Sequence, residues 1–259
     1  MYTEETQVLE NKNAGLNYYA LTLAAPYISA AARPGQFVMV APSAGLQPFL
    51  KRPMGINVIS AEKGQIRLIY RMVGHGTRLM SALEPGQTIQ MLGPLGNGWR
   101  SIGEGRALLV GGGTGIAPLL PLAEDLSGAG LACDILLGAN SARELVCAEE
   151  FTQLGHCASA TLDGSWGVHG PVTLLLPQAP PAYDMVYCCG PQALMSKVAE
   201  WAARYDLPCQ VSLEERMGCG FGVCMGCVCP VADAGGAGGY AYKRVCCDGP
   251  VFDSREVKW

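Results

Sequence analysis

The sequence is poor in charged residues and in histidine, and it contains no long apolar run. Only 15% of its 259 residues are charged, the formal net charge is -4, and histidine occurs three times. No cluster of Lys or Arg is present, which argues against nucleic acid and anionic membrane surfaces as partners. The most apolar segment, residues 107–123, is interrupted by glycine and proline. It is also shorter than the ~20 residues that span a bilayer, so we expect no membrane-spanning segment.

The N-terminal segment, MYTEETQVLENKN, is polar and acidic. It has neither the basic region nor the apolar region of a secretory signal, and we expect a cytoplasmic protein. Twelve cysteines are nevertheless present. Because thiols stay reduced in the cytoplasm, so many cysteines indicate metal ligation or redox chemistry rather than disulfide bonds.

Residues 1–100 have the pattern of an antiparallel β-barrel. Turn sequences such as RPGQ, AEKGQ and EPGQ separate six short runs that are rich in β-branched and aromatic residues: QVLENK, YYALTLA, QFVMVA, INVISA, QIRLIYRMV and QTIQMLG. Regularly spaced short strands of this kind are typical of a barrel. One helix is predicted within this region, at residues 76–83.

Residues 101–210 alternate between strand and helix patterns. The strands RALLVGG, CDILLGA and YDMVYCCG are each followed by a helical pattern, and the last helix begins at Pro191. Such alternation predicts a parallel sheet with helices on both faces. The first strand leads into a glycine run at 111–113 and then a helix, an arrangement that lets a pyrophosphate approach the backbone. The run is not G-x-G-x-x-G, so it does not predict a standard Rossmann motif. A plain tight turn between strand and helix is the alternative.

Cysteines dominate the chain after residue 210. Cys219, Cys224 and Cys227 have the C-x4-C-x2-C spacing of plant-type [2Fe–2S] ligands, whose fourth ligand comes from a distant position. Cys246 or Cys247 can supply it. The intervening glycines would let the loop surround a cluster and direct its N–H groups at the sulfur atoms. The spacing therefore favours an iron–sulfur cluster.

Two other interpretations of these thiols remain open. Structural zinc sites usually use two C-x2-C pairs, and only one is present here. Free cysteines are often simply small buried residues. Residues 211–259 are too few for an independent hydrophobic core, which favours a metal as the stabilising element. Burial without chemistry is expected for five other cysteines with apolar neighbours, namely Cys133, Cys147, Cys157, Cys188 and Cys209.

Several motifs occur in an order that resembles the ferredoxin–NADP reductase superfamily. They are R-P at 52–53, Y-R-x-x-G-x-G-T at 70–77, G-P-L-G-N-G at 93–98, G-G-G-x-G at 111–115 and C-G-P at 189–191. The C-terminal sequences EERMGCGFGVCMGCVC and KRVCCDGPVF narrow the resemblance to the electron-transfer subunits of B-type dihydroorotate dehydrogenases. This resemblance covers essentially the whole chain.

The resemblance implies three parts with three cofactors. Residues 1–100 would form an FAD-binding barrel, 101–210 an NAD-binding α/β domain, and 211–259 a [2Fe–2S] module. The expected FAD contacts are Arg52, Pro53, Met54, Gly55, Ile69, Tyr70, Arg71, Gly76 and Thr77. The expected NAD contacts are Gly111, Gly112, Gly113, Thr114, Gly115, Cys189, Gly190 and Pro191. The expected cluster ligands are Cys219, Cys224, Cys227 and Cys246, because the D-G-P that follows sets the register and leaves Cys247 at a variable position.

Two positions bear on cofactor binding: Gly55 on the strength of FAD binding, and Asp163 on the choice between NADH and NADPH. Gly55 stands where the family commonly has a hydroxyl residue, so a hydrogen bond to the flavin is either weakened or replaced by a backbone N–H. Asp163, in TLDGSWG, occupies a region where NADP-binding relatives tend to have basic and hydroxyl residues. Its carboxylate would repel a 2′-phosphate and accept a ribose hydroxyl, which favours NADH. A solvated turn residue is the alternative for Asp163.

The resemblance implies an NAD-linked flavin and iron–sulfur oxidoreductase subunit. Its cluster would exchange electrons with the FMN of a separate catalytic subunit that converts dihydroorotate to orotate in pyrimidine biosynthesis, in a heterotetramer of two plus two subunits. One alternative is a ferredoxin-type NAD(P)H reductase subunit of another oxidoreductase. A zinc-stabilised binding module with a degenerate flavin site is a further alternative, and it predicts a colourless protein.

Overall fold

Six antiparallel strands close into a barrel in the N-terminal part of the chain. The computed structural model describes residues 1–43, 45, 47–179, 182–236 and 238–259. The barrel strands are β1 (Tyr2–Gly15), β2 (Tyr18–Ala24), β3 (Phe37–Val40), β4 (Arg52–Ser60), β5 (Gln65–Arg71) and β6 (Thr88–Leu95), in the closed order β1-β2-β5-β4-β3-β6. Alternate apolar side chains of these strands fill the interior, among them Val8, Leu21, Leu23, Val38, Val40, Ile56, Leu68 and Ile89. The predicted barrel is confirmed.

Two short helices accompany the barrel. α1 (Pro26–Ala31) was not predicted, whereas α2 (His75–Ser81) lies close to the predicted residues 76–83. Glu4 supports α1, because its carboxylate accepts the backbone N–H groups of Tyr27 and Ile28 at 3.3 and 3.1 Å. These contacts join positions far apart in sequence, so the local pattern could not reveal them.

A second, seven-stranded sheet follows the barrel. Its first six strands are β7 (Arg106–Gly112), β8 (Ala132–Ala139), β9 (His156–Thr161), β10 (Val168–His169), β11 (Met185–Cys189) and β12 (Cys209–Ser212). The chain then forms a hairpin of β13 (Val228–Ala232) and β14 (Tyr240–Arg244), followed by β15 (Val251–Asp253). The sheet order is β10-β9-β8-β7-β11-β12-β15, and all pairs are parallel except β12 with β15. The predicted parallel sheet is confirmed, with one antiparallel edge strand added.

The helices of this part are shorter than the sequence pattern suggests. They are α3 (Leu120–Gly128), α4 (Ala148–Thr152) and α5 (Gln192–Arg204), with 3-10 segments at Gly113–Leu119, Ala142–Glu144 and Val172–Leu175. The helix expected to begin beside the glycine run is a 3-10 segment first and becomes α3 only at Leu120. Pro118 explains the difference, because proline has no N–H for an α-helical hydrogen bond.

The C-terminal residues are integrated with both larger parts. Strand β15 extends the second sheet, and the N–H of Asn97 at the barrel end donates to the carbonyl of Gly249 at 2.6 Å. The division of the chain after residues 100 and 210 stays a prediction. No helix in the described part of the chain is long and apolar enough to cross a membrane.

Candidate cofactor sites

A cavity of about 1110 Å³ lies between the barrel and the carboxyl edge of the second sheet. All nine residues expected to contact FAD line it, and so do Thr114 and Cys189 from the expected NAD segments. The other expected NAD residues, and Asp163, do not line it. Because ligands of open α/β sheets bind at the carboxyl ends of the strands, the position of the cavity suits a flavin that must meet a nicotinamide.

Arg52 brings a positive charge to the start of α2. A Cβ atom built on Gly76 would lie only 2.6–2.8 Å from atoms of the Arg52 guanidinium, so the absence of a side chain permits this approach. The guanidinium also donates to the carbonyl of Leu50. A fixed guanidinium beside the first turn of a helix is well suited to bind a phosphate group of FAD.

The side chains of Thr77 and Tyr70 make contacts within the protein rather than project freely into the cavity. The Thr77 hydroxyl accepts the N–H groups of Val73 and Gly74 at 2.9 and 3.1 Å, so it closes the turn that begins α2. The ring of Tyr70 stacks on Tyr19 at 5.8 Å in the barrel core, where burial raises the pKa of its hydroxyl. Both residues border the cavity, but these side chains mainly shape it.

Gly55 is in close contact with the nicotinamide-binding part of the chain. A Cβ atom at this position would lie 3.2 Å from Cβ of Pro118, which is tighter than an ordinary contact. A larger side chain at this position would therefore press against the 3-10 segment.

The two segments that are expected to bind NAD meet at the ends of β7 and β11. A Cβ atom on Gly115 would lie 2.5–2.6 Å from backbone atoms of Cys189 and Gly190, so the glycine turn packs directly on the second segment. Gly113 has a φ of 56°, a conformation that favours glycine. The structure thus brings the predicted residues together, and Thr114 and Cys189 connect them to the cavity.

Asp163 lies in an exposed turn just after β9. Its Oδ1 accepts the hydroxyl and the backbone N–H of Ser165 at 2.6 and 2.9 Å. These hydrogen bonds lower the pKa of the carboxyl, which is therefore ionised near neutral pH. The turn is at the same carboxyl edge as the glycine run, as expected for a residue that contacts the ribose of NAD.

The four predicted cluster ligands lie in two pairs. The N–H of Cys224 points at the sulfur of Cys219, and the N–H of Cys246 points at the sulfur of Cys227, each over 3.4 Å. Cys227 and Cys246 are buried, whereas Cys224 is exposed. Among the described residues, no three or more Cys, His, Asp or Glu side chains converge as a bound metal requires.

One loop connects the two pairs. Burial raises the pKa of the Cys219 thiol, but the N–H groups of Cys224 and Phe221 and further contacts lower it overall to about 6. The N–H of Gly222, within the same loop, faces the sulfur of Cys246. Four thiols around a glycine-rich loop with N–H groups directed at sulfur have the donor chemistry of a [2Fe–2S] site. The types of donor present therefore fit the cluster, while the four thiols lie as two pairs rather than as one closed set, and the ligand assignment stays a prediction.

The remaining cysteines differ from this set. Cys229 is buried in the core on β13, and Cys247 lies against Gly222 and next to the carboxyl of Asp248. Five cysteines were expected to be buried. Three of them are buried, namely Cys133, Cys188 and Cys209, and two are partly exposed, namely Cys147 and Cys157. Burial raises the pKa of the thiol in all five.

Part of the cavity wall was not predicted from the sequence. Residues 212–217, which precede the first cluster cysteine, line it together with Pro250. Glu214 is among them, and its surroundings raise the pKa of its carboxyl. The one sequence feature that could have pointed to this part of the wall is E-E-R at 214–216, just before the cysteine motif. Nothing else in the sequence relates residues 212–217 to the barrel.

Comparisons with known proteins agree with this geometry. Residues 214–258 match the family model described as the iron-sulfur cluster binding domain of dihydroorotate dehydrogenase B. A protein of Geobacillus kaustophilus (strain HTA426), named dihydroorotate dehydrogenase B (NAD(+)), electron transfer subunit, is 42% identical over 243 residues, 92% of each chain. This chain belongs to that family.

Further members and solved structures support the assignment. A Geobacillus sp. (strain WCH70) protein of the same name is 40% identical over 99% of each chain. A solved NADH-dependent reduced ferredoxin-NADP oxidoreductase has a TM-score of 0.88 and 30% identity, and the match covers 99% of this chain and 90% of that one. The cytochrome P450 reductase GcoB of Amycolatopsis, at 20% identity and a TM-score of 0.65 over 79% of this chain and 66% of that one, shares the fold. The prediction of an NAD-linked flavin and iron–sulfur oxidoreductase subunit, with FAD, NAD and [2Fe–2S] as cofactors, is confirmed.

Proposed function

We propose that this chain transfers electrons between NAD and an FMN-containing catalytic subunit that oxidises dihydroorotate to orotate. The names of its relatives support the reaction. The order of the cofactor sites along the chain supports the path of the electrons. The decisive observation is continuity: Met217 lines the FAD cavity and Cys219 follows two residues later. Pro250, only four residues after Cys246, lines the same cavity. The two cofactors would therefore be neighbours.

The chain's own residues bind, orient and enclose these cofactors. When bound, FAD would supply both hydride exchange with NAD and single-electron exchange with a [2Fe–2S] cluster, and so would link a two-electron carrier to a one-electron carrier. Arg52 provides a cation for a flavin phosphate, and Thr114 and Cys189 border the place where the nicotinamide would approach. Leu213 and Met217, both buried, cover the cavity on the side of the cluster.

The thiol-bearing loop suits contact with a partner. Phe221, Val223 and Met225 alternate with glycine and cysteine, and their side chains are 45, 73 and 54% exposed. Apolar side chains grouped around an exposed Cys224 favour burial by another protein. We propose that the catalytic subunit covers this loop, and that two copies of each subunit form the complex.

The chain is proposed to use NAD rather than NADP. Asp163 carries an ionised carboxylate at the expected ribose position, and a 2′-phosphate there would meet like charge. In the physiological direction, electrons released from dihydroorotate on the partner would reach NAD on this chain.

Two measurements test this function. The purified protein should show flavin absorption with an iron–sulfur shoulder at longer wavelength, and about two irons per chain. Co-expressed with an FMN-containing dihydroorotate dehydrogenase, it should co-purify at equal stoichiometry and make orotate formation depend on NAD. A colourless protein would contradict the cofactor assignment, and a coloured protein that does not support orotate formation would contradict the partner.

A second function has a specific observation in its favour. The similarity to the NADH-dependent reduced ferredoxin-NADP oxidoreductase fits a reductase subunit that serves a different oxidoreductase. Both functions predict the same absorption spectrum. The orotate assay separates them, because only the first predicts activity that depends on both dihydroorotate and NAD.

A further inference from the structure

One buried acidic side chain, Glu144, has no role in the sites described above. It ends the short 3-10 segment after β8 and is only 4% exposed. A buried carboxylate is unfavourable unless hydrogen bonds or opposite charges compensate for the loss of water. The partners of Glu144 therefore indicate why the charge is kept there.

Glu144 lies between residues of the two cofactor sites. Its Oε2 accepts a hydrogen bond from Nδ2 of Asn140 at 2.6 Å, and its Oε1 is 3.8 Å from Nη2 of Arg71. Arg71 belongs to the barrel and lines the FAD cavity. The carbonyl of Asn140 accepts the N–H of Asp163 at 3.0 Å. One chain of contacts thus runs from the FAD cavity to the turn assigned to the NAD ribose.

Arg71 has little else to hold it. Its guanidinium lies 5.9 Å from the ring centre of Tyr18, and within the described part of the chain Glu144 is its one ion-pair partner. A long arginine side chain loses conformational entropy when it is held in place, so its position depends on the groups around it. Glu144 is buried and hydrogen-bonded to Asn140, and it supplies a fixed negative charge.

We propose that Glu144 is a positioning residue that holds Arg71 at the FAD cavity and, through Asn140, connects it to the NAD-binding turn. The inference rests on the proposed function, which assigns Arg71 to FAD and Asp163 to NAD. Glu144 itself lies outside the lining of the cavity and acts through Arg71.

A double-mutant cycle tests this role. Glu144→Gln keeps the shape and a hydrogen-bonding group toward Asn140 but removes the charge that faces Arg71. We expect FAD to dissociate about five- to tenfold more readily, measured by the flavin fluorescence recovered when the purified holoprotein is diluted. In an Arg71→Ala background the same change should have no further effect. Equal weakening in both backgrounds would overturn the proposal.

A matched control separates positioning from loss of stability. Asp134 is also a mostly buried acid, lies near the opposite end of β8, and accepts two hydrogen bonds of 2.7 Å from Arg106. Asp134→Asn should lower the melting temperature but leave FAD dissociation unchanged. If it weakens FAD as much as Glu144→Gln does, the effect of Glu144 is merely structural and the proposal fails.

Two further measurements cover other outcomes. If Glu144→Gln does not fold, Asn140→Ala removes the hydrogen bond that fixes Glu144. It should weaken FAD in the wild-type background but not in Arg71→Ala, and additive effects would overturn the proposal. A wild-type protein that never binds FAD would contradict the proposed function instead, so the two failures are distinguishable.

Discussion

The backbone N–H of Cys246 points directly at the sulfur of Cys227, with nitrogen and sulfur 3.4 Å apart. The neighbouring Cys247 has a different environment, because its sulfur lies against Gly222 and beside the carboxyl of Asp248. Cys246 and Cys247 are adjacent residues of the same type, but their contacts differ. The Cys246 thiol itself is also hydrogen-bonded to Cys227, and this side-chain contact favours Cys246 as the fourth ligand.

The first prediction concerns these thiols. Cys246→Ser should abolish the cluster, since three thiolates do not complete a [2Fe–2S] site. Cys247→Ser and Cys229→Ser should keep about two irons per chain. Iron analysis and visible absorption of the three variants provide the measurement. A loss of iron in Cys247→Ser but not in Cys246→Ser would show that the ligand register is wrong by one residue.

The second prediction concerns Arg52 and Gly76. Gly76→Ala places a methyl group where the guanidinium lies, and because the end of an arginine side chain can move, the variant should fold normally. FAD should bind about tenfold more weakly, as expected when one charge-assisted hydrogen bond is lost. Gly103→Ala is the control, since a Cβ atom there meets nothing within 4 Å and Gly103 does not line the cavity. Equal loss of FAD in both variants would contradict the role of Arg52.

The third prediction concerns the choice of nicotinamide. Asp163→Ala should reduce the preference for NADH over NADPH about three- to tenfold, because repulsion of the 2′-phosphate is removed. The kcat/KM ratio for the two substrates measures this preference. Ser165→Ala keeps the carboxylate and should keep the preference. An unchanged ratio in Asp163→Ala would exclude the residue as a determinant.

The fourth prediction concerns the partner surface. Val223→Asp places a charge in the centre of the apolar loop beside the cluster and should weaken association with the catalytic subunit by at least about tenfold. Leu174→Asp is the control, because Leu174 is also exposed but lies outside this loop. Size-exclusion chromatography of the mixed subunits measures association. Equal behaviour of the two variants would place the partner elsewhere.

The fifth prediction concerns acid stability. Burial alone would raise the pKa of Asp134, but hydrogen bonds from Arg106 and Tyr183 lower it overall. A carboxyl whose pKa is lower in the folded state stabilises the protein above its ordinary pKa of about 4, and this contribution disappears as pH falls through the lowered value. Asp134→Asn should therefore cost roughly 1–3 kcal/mol at neutral pH and progressively less below about pH 4. Urea unfolding at several pH values measures the difference, and a constant difference would contradict it.

The two larger parts could be predicted because their patterns are local. Alternating apolar residues identify the six barrel strands, and the alternation of buried strands with helices identifies the parallel sheet. The short strands β12 and β15, of four and three residues, carry too little pattern to be recognised. Their pairing depends on contacts across more than forty residues of sequence, between Val211 and Phe252 for example.

The sequence by itself determined the type of chemistry, because cysteine spacing and glycine-rich turns are set by local geometry. Its spacing predicts Cys219, Cys224 and Cys227 as ligands, and Cys246 is predicted only by family resemblance. Only the tertiary structure placed residues 212–217 and Pro250 in the wall of the FAD cavity, and only it brought Glu144 next to Arg71. These neighbours come from separate strands and loops, and packing of the barrel against the sheet is what decides which of them meet.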